Sequence, residues 1–446
     1  MNGEREKLSS RLGFIMLSAG CAIGCGNVWK FPWMTGEYGG GSFVLVYIFC
    51  LLLLGLPAMT MEFALGRASQ ASPIRMYQKL EKPGQKWHIH GYLCLVGNTA
   101  LMAFYTVVTG WMIYYFVSFL RGRGAELSFG AMISNPAVNV GYLAVAVALG
   151  FFILSFNLQG GLERVTKYLM TALFVLMLVL AVHSCLLSGA GKGLKFYLVP
   201  DFSKIDGSVV VAAMNQAFFT LSIGVGAMAI FGSYIGRERS LMGESVNIIL
   251  LDSFVAIVSG LIIFPACYTY GIEVDSGPAL LFNTMSTVFT YMAGGRVWGT
   301  LFFLFMVFAA FSTELAVFEA ILAMVREITG WSRPKGSLIC GIGIFLLSLT
   351  TALGYSVLHF QPFAEGSAWL DFWDFIVSTN LLPLGALTLS LFCCNRFGWG
   401  WDSLVAEANA GKGLKIHNWM KPVFKYFAPV CILALYVYGL ATFKWR

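Results

Sequence analysis

Apolar runs long enough to cross a bilayer recur along this chain, and they limit its fold more than any other feature. Spanning takes about 18–20 consecutive apolar residues. Such stretches fall near 11–35, 42–66, 91–120, 139–156, 164–188, 208–235, 242–270, 297–327, 337–356, 369–394 and 423–442. Lipid offers freed peptide groups no water, so each run is expected to form a helix that bonds to itself. Charged residues make up 11% of the chain, against about 25% in soluble domains. The expected fold is all-α and polytopic, one transmembrane domain over residues 1–446.

The net charge of +7 is explained by placement rather than by an acidic partner. Most Lys and Arg residues fall on the side of the N-terminus, including Arg67, Arg75, Lys79, Lys82 and Lys86 in the loop 67–90, and in the basic loop 395–425. The positive-inside rule makes that side cytoplasmic. An odd number of spans then puts the C-terminus outside the cell membrane, and no nucleic-acid partner is expected. Residues 1–11 are too polar, and the run after them too long, for a signal peptide. The segment 277–296, apolar but interrupted, is expected to fold as a re-entrant hairpin on the outer face. The ten cysteines sit almost all in apolar runs without metal-type spacing and read as small core residues. His88 and His90, in a basic loop with no third ligand, read as solvated.

Two of the runs cannot be regular helices. Ser18-Ala19-Gly20-Cys21-Ala22-Ile23-Gly24-Cys25-Gly26-Asn27-Val28-Trp29-Lys30-Phe31-Pro32 places glycines, an amide, a lysine and a proline at membrane depth. Glycine lets the backbone leave helical geometry cheaply, and proline removes a donor. The sixth run repeats the pattern in Asn215-Gln216-Ala217-Phe218-Phe219-Thr220-Leu221-Ser222-Ile223-Gly224-Val225-Gly226. Taken singly, each glycine pattern would more often serve helix packing. Their matching positions, first in each of two five-helix sets (about 11–188 and 208–394, with 423–442 left over), point to inverted repeats around a transporter's binding site.

Ionisable groups inside spans are costly and mark function or a specific partner. Glu62, near a helix end, reads as a cap on the amides of a broken neighbour. Asp252 is deeper, between Leu251 and Ser253, and reads as functional. Glu314 and Glu319, on different faces of one helix, leave pocket and packing both open. So do Ser312 and Thr313, whose hydroxyls either bond back to their own helix or join free carbonyls around a hard cation such as sodium.

At this point the chain resembles the neurotransmitter:sodium symporter family, in particular its short eleven-helix bacterial amino-acid transporters. The likeness runs from Arg5 to about Phe443. It rests on Arg11-Leu12-Gly13-Phe14, Gly26-Asn27-Val28-Trp29-Lys30-Phe31-Pro32, Gly39-Gly40-Gly41, Phe218-Phe219-Thr220-Leu221-Ser222 and Asp371-Phe372-Trp373-Asp374-Phe375. The resemblance implies two inverted five-helix repeats with unwound first and sixth helices, plus an eleventh helix. It implies a first sodium site from the Ala22 carbonyl, Asn27, Thr220 and Asp252. A second would come from the carbonyls of Gly20, Ile23 and Ala309 with Ser312 and Thr313. The substrate carboxylate would meet the first sodium, the amides of Cys25 and Gly26, and the Tyr105 hydroxyl. Its ammonium would meet carbonyls of Ala22, Phe219 and Thr220, plus Ser222. Leu101, Tyr105, Phe219, Ser222, Val225, Thr313 and Val317 would line the side-chain pocket. The implied outer gate is Lys30 with Asp374 above a lid of Tyr105 and Phe219; the inner gate is Arg5 with Glu327, near Ser233 and Tyr234.

Departures from the family pattern sharpen the expectation. Lys30 stands where arginine is usual, a point charge instead of a fork. Leu8 replaces a tryptophan of the inner gate, and Glu327 an aspartate. Gly24 stands where monoamine carriers have aspartate, which resembles the amino-acid branch. Asp252 replaces an asparagine, and Ala256 stands where chloride-dependent relatives have a serine ligand. The fixed charge of Asp252 is expected to remove the need for chloride. The function implied is sodium-coupled import of hydrophobic or aromatic L-amino acids by alternating access, with no enzymatic activity. The partners are the amino acid, two sodium ions and the bilayer, with a homodimer possible. The alternatives are a proton-coupled carrier of the same fold, with Asp252 or Glu314 taking the proton, or a low-turnover amino-acid sensor.

Overall fold

The computed structural model describes residues 6–272, 279–363 and 365–443. The spans are α1 (Arg11–Ala22 and Gly26–Glu37), α2 (Gly41–Ser69), α3 (His88–Leu120), α4 (Pro136–Ser155), α5 (Gln159–Cys185), α6 (Gly207–Thr220 and Ala227–Gly232), α7 (Leu241–Tyr270), α8 (Gly295–Thr329), α9 (Arg333–Ala352), α10 (Trp369–Cys394) and α11 (Asn418–Ala441). Among the described residues nine of these are unbroken, long and apolar enough to cross a membrane, and α1 makes a tenth across a bend of 48°. α6 is interrupted over residues 221–226.

The two breaks have local causes. Ser10 caps α1, its Oγ accepting from Gly13 N at 3.0 Å. Helical geometry then fails at Ile23, which is extended (φ −78°, ψ 93°). Asp206 caps α6, its Oδ1 accepting from Ser208 N at 2.9 Å and Val209 N at 3.0 Å. Beyond Thr220 the chain turns through left-handed backbone at Ser222, Gly224 and Gly226. A Cβ on Gly224 would also stand 2.2 Å from the Leu382 carbonyl oxygen of α10, so only glycine fits there. Freed amides at membrane depth need acceptors, and Glu62 of α2 supplies one. Its Oε1 accepts from Gly224 N at 2.5 Å, and its Oε2 from Met228 N at 3.1 Å. The cap expected of Glu62 is present.

Long-range contacts close both ends of the bundle around these breaks. After residues 273–278, which include the start of the expected re-entrant segment, a helical stretch runs to Tyr291. It is too short to span. Phe282 within it packs against Trp111 and Tyr115 of α3 and Phe303 of α8. At the end that carries residue 6, the short helices Pro73–Leu80 and Trp401–Ala408 lie across the bundle.

Three expectations at that end need correction. Arg67 is no loop residue: it ends α2, is 2% exposed, and pairs with Glu407 at 2.7 Å. His90 is buried, its Nδ1 2.8 Å from the Tyr77 hydroxyl, and His88 Nδ1 lies 2.6 Å from Glu81 Oε1. Neither histidine is simply solvated, because Pro73–Leu80 folds back onto the start of α3 and turns that part of the loop into an interior.

Candidate functional site

The breaks of α1 and α6 face each other at mid-bundle. Gln216 Nε2 donates to the Gly26 carbonyl at 2.6 Å, and Ser222 Oγ to the Cys21 carbonyl at 3.2 Å. Between them lies a cavity lined by Ala22, Gly26, Leu101, Tyr105, Phe219, Ser222 and Thr313, together with Cys21, Gly24 and Leu382. Its volume is about 10 Å³, room for about one water. A Cβ on Gly24 would stand 2.1 Å from Thr313 Oγ1 and 2.4 Å from the Tyr105 hydroxyl. Glycine there is what lets α1 approach α3 and α8 so closely.

The pocket residues named from the sequence divide in two. Leu101, Tyr105, Phe219, Ser222 and Thr313 line the cavity, whereas Val225 and Val317 are buried outside its lining. Cys25 also lies outside the lining, but its amide points to the site, donating to the Tyr105 hydroxyl at 2.9 Å.

One oxygen cluster sits beside the cavity toward α7. Thr220 Oγ1 lies 2.8 Å from Asn27 Oδ1 and 3.0 Å from Asp252 Oδ1; with one proton it can donate to only one of them at a time. Asn27 Nδ2 donates to Asp252 Oδ1 at 2.9 Å. Tyr47 of α2 donates to Asp252 Oδ2 at 3.2 Å. Asp252 is fully buried, and the donors that meet it are neutral. Asn27, Thr220 and Asp252 are therefore together as expected, while Tyr47 went unnoticed. It sits in an unbroken apolar run, where nothing in the pattern marks it.

A second oxygen cluster joins α1 to α8. Thr313 Oγ1 donates to the Gly20 carbonyl at 2.9 Å. Ser312 Oγ lies 2.9 Å from the Ala309 carbonyl and 3.3 Å from that of Ile23. All five residues expected to group here do so. Ser312 bonds back to its own helix and also reaches the break of α1. Every potential ligand in either cluster is oxygen, the donor set that suits a hard cation.

Away from the N-terminal end, Lys30 Nζ meets Asp374 Oδ1 at 2.8 Å and Ser378 Oγ at 3.1 Å, and lies 4.2 Å from the Phe219 ring centroid. The lysine is 7% exposed, so this pair is more than a surface ion pair. At the other end Arg5 lies outside the described residues. Glu327 accepts from Ser72 N at 3.0 Å and also from the Ser72 hydroxyl. Glu319 is resolved toward packing: its Oε1 accepts from the Tyr234 hydroxyl at 2.7 Å and from Arg333 Nη1 at 3.2 Å. Arg333 was missed because it stands at the start of α9, where basic residues are ordinary. Glu314 points the other way; its Oε1 lies 3.9 Å from where a Cβ on Gly150 would be.

Comparison with known proteins agrees with this geometry. The model of the sodium:neurotransmitter symporter family matches residues 5–126 and 124–446. An uncharacterized sodium-dependent transporter of Bacillus subtilis, YhdH, is 33% identical over 440 residues, covering 96% of each chain. An uncharacterized sodium-dependent transporter of Haemophilus influenzae is 30% identical over 462 residues, covering 98% of this chain and 99% of that protein. The crystal structure of MhsT in complex with L-phenylalanine matches with a TM-score of 0.89 at 33% identity, over 97% of this chain and 99% of that one. Two broken helices, an all-helical bundle and full-length likeness to sodium-dependent transporters lead to one conclusion: the chain belongs to the sodium:neurotransmitter symporter family and is a multi-pass, sodium-dependent membrane symporter, not an enzyme.

Proposed function

We propose that the chain imports hydrophobic or aromatic L-amino acids together with sodium by alternating access, and that it does so without chloride. The observation that carries this reading is the meeting of two helix breaks at one small cavity, flanked by two clusters of oxygen ligands. A broken helix offers amide donors to an anion and carbonyl acceptors to a cation. The amides of Cys25 and Gly26 with the Tyr105 hydroxyl would take the substrate carboxylate. The carbonyls of Ala22, Phe219 and Thr220 with Ser222 would take its ammonium. Leu101, Phe219 and Leu382 supply apolar walls, and MhsT's complex with L-phenylalanine supports an aromatic side chain in such a pocket.

Sodium is cargo in this scheme. One ion would be held by the Ala22 carbonyl, Asn27, Thr220 and Asp252, and the other by Gly20, Ile23, Ala309, Ser312 and Thr313. Asp252 contributes a fixed charge, which is the reason for expecting no chloride requirement. Lys30 with Asp374 would close the outer path, and Arg5 with Glu327 the inner one. The N-terminus would lie in the cytoplasm and the C-terminus outside.

One observation favours a second reading. Glu314 is fully buried beside Thr109, whose hydroxyl donates to the Tyr105 carbonyl at 3.1 Å, and no cation pairs with its carboxyl group among the described residues. A buried charge is costly unless paired, so a proton on Glu314 would serve a proton-coupled carrier of the same fold.

Uptake of labelled phenylalanine, tryptophan, tyrosine and leucine into proteoliposomes separates these readings. An inward sodium gradient should drive accumulation with gluconate as the sole anion. Accumulation on a proton gradient alone would replace the sodium reading with the second one. Binding without accumulation would make the protein a sensor.

A further inference from the structure

α3 meets the break of α6 along a single stripe. His90, Cys94, Gly97, Asn98, Leu101 and Tyr105 recur at three- and four-residue steps, which places them on one helix face. Leu101 and Tyr105 at one end of the stripe line the cavity. Cys94, Gly97 and Asn98 meet the six-residue interruption itself. Asn98, fully buried, donates from Nδ2 to the Val225 carbonyl at 2.8 Å and to its own helix at Cys94 O, 2.7 Å. A Cβ on Gly97 would stand 2.7 Å from Val225 Cγ1, and one on Gly226 3.2 Å from Cys94 Sγ.

His90 reaches the same segment from below. Its Nδ1 lies 2.8 Å from the Tyr77 hydroxyl, which ties it to the short helix Pro73–Leu80. Pro73, at the start of the helix that bears Tyr77, backs the arrangement: a Cβ on Gly226 would stand 2.6 Å from its Cγ.

Carbonyls freed by a break must be met by protein or water. Glu62 takes the amides of residues 224, 226 and 228, Asn98 takes the carbonyl of 225, and His90 holds, through Tyr77, the helix whose Pro73 packs on Gly226. We propose that Asn98, directly, and His90, through Tyr77 and Pro73, are positioning residues that fix the backbone at 225 and 226, and through it set how tightly the substrate site is shaped. The inference rests on the amino-acid reading above and adds to it which residues govern affinity. Backbone held at 225 and 226 steadies Ser222, whose left-handed φ of 50° has no regular helix to maintain it. Neither residue touches the substrate, so their action is on affinity rather than on the rate of the conformational cycle.

The test combines phenylalanine uptake with hydrogen exchange on purified protein, the latter needing no substrate. Asn98→Ala and His90→Ala should each raise the KM for phenylalanine about five- to tenfold, with Vmax near wild type. Exchange in a peptide covering 221–229 should be faster in both. His90→Gln and Asn98→Ser retain a donor and should recover part of the affinity, and they stand in if an alanine variant does not fold. Thr106→Ala removes a comparable α3 hydrogen bond, 2.9 Å to Ser348 of α9, and should leave both readouts unchanged. Unchanged exchange over 221–229 in the His90 and Asn98 variants would overturn the proposal, whatever the protein transports. So would a fall in Vmax and melting temperature with KM unaltered. Should wild-type protein accumulate no amino acid, the transport reading fails, and exchange still decides the role of α3.

Discussion

The two oxygen clusters beside the cavity are built on opposite principles. The one around Asp252 draws on α1, α2, α6 and α7 and contains a carboxyl group, able to carry a full negative charge, held by Asn27, Thr220 and Tyr47. The one around Ser312 and Thr313 joins only α1 and α8 and contains carbonyls and hydroxyls alone. A charged cluster attracts a cation strongly but leaves a costly carboxylate when empty. A neutral one binds more weakly and loses little on release. On the function proposed above, the charged cluster, beside the cavity, would tie one ion to substrate, while the neutral one would join ion binding to the packing of α1 against α8.

Asp252→Ala should break the comparison most severely. It removes the charge and leaves the buried Tyr47 hydroxyl without its acceptor, at about 1–3 kcal/mol, while Thr220 can still donate to Asn27 Oδ1 and Asn27 Nδ2 to the backbone carbonyl of residue 252. Sodium-driven uptake should fall by more than about 100-fold, and sodium should no longer raise the melting temperature to the wild-type extent. Asp252→Asn keeps the shape and removes the charge alone. Sodium half-saturation should rise about tenfold, and uptake should become stimulated by chloride. If sodium affinity and chloride independence are both unaltered, the charge of Asp252 has no part in ion balance.

Thr313→Val tests the neutral cluster. Losing one hydroxyl there should raise sodium half-saturation by roughly five- to tenfold and make no difference to the chloride response. An equal or larger loss than in Asp252→Asn would reverse the ranking of the two clusters. Tyr47→Phe is the mildest change, since its 3.2 Å bond to Asp252 is long. An increase of about two- to fivefold in sodium half-saturation is expected, read from initial rates; no change would remove Tyr47 from the first cluster.

Much of this site was legible before any coordinates. Polar and glycine residues interrupting an apolar run at 18–32 and 215–226 are conspicuous because lipid forbids them without a reason. Asp252 and Glu62 stand out for the same cause. The likeness to a known family then assigned partners that hydropathy alone could not. Tyr47 was invisible because a tyrosine in an apolar run looks like any other aromatic. His90 and Arg67 were misjudged because a loop's composition does not reveal that a short helix folds back over it.

By itself the sequence determined the helical architecture, the two places where helices fail and the residue types available there, because these depend on local backbone preference and on the solvent each segment can tolerate. The tertiary structure alone decided which groups meet: Tyr47 with Asp252, Arg333 with Glu319, Asn98 with Val225, and Val225 and Val317 outside the cavity's lining. Those pairings depend on how helices distant in the chain rotate and pack against one another, and no single segment carries that information.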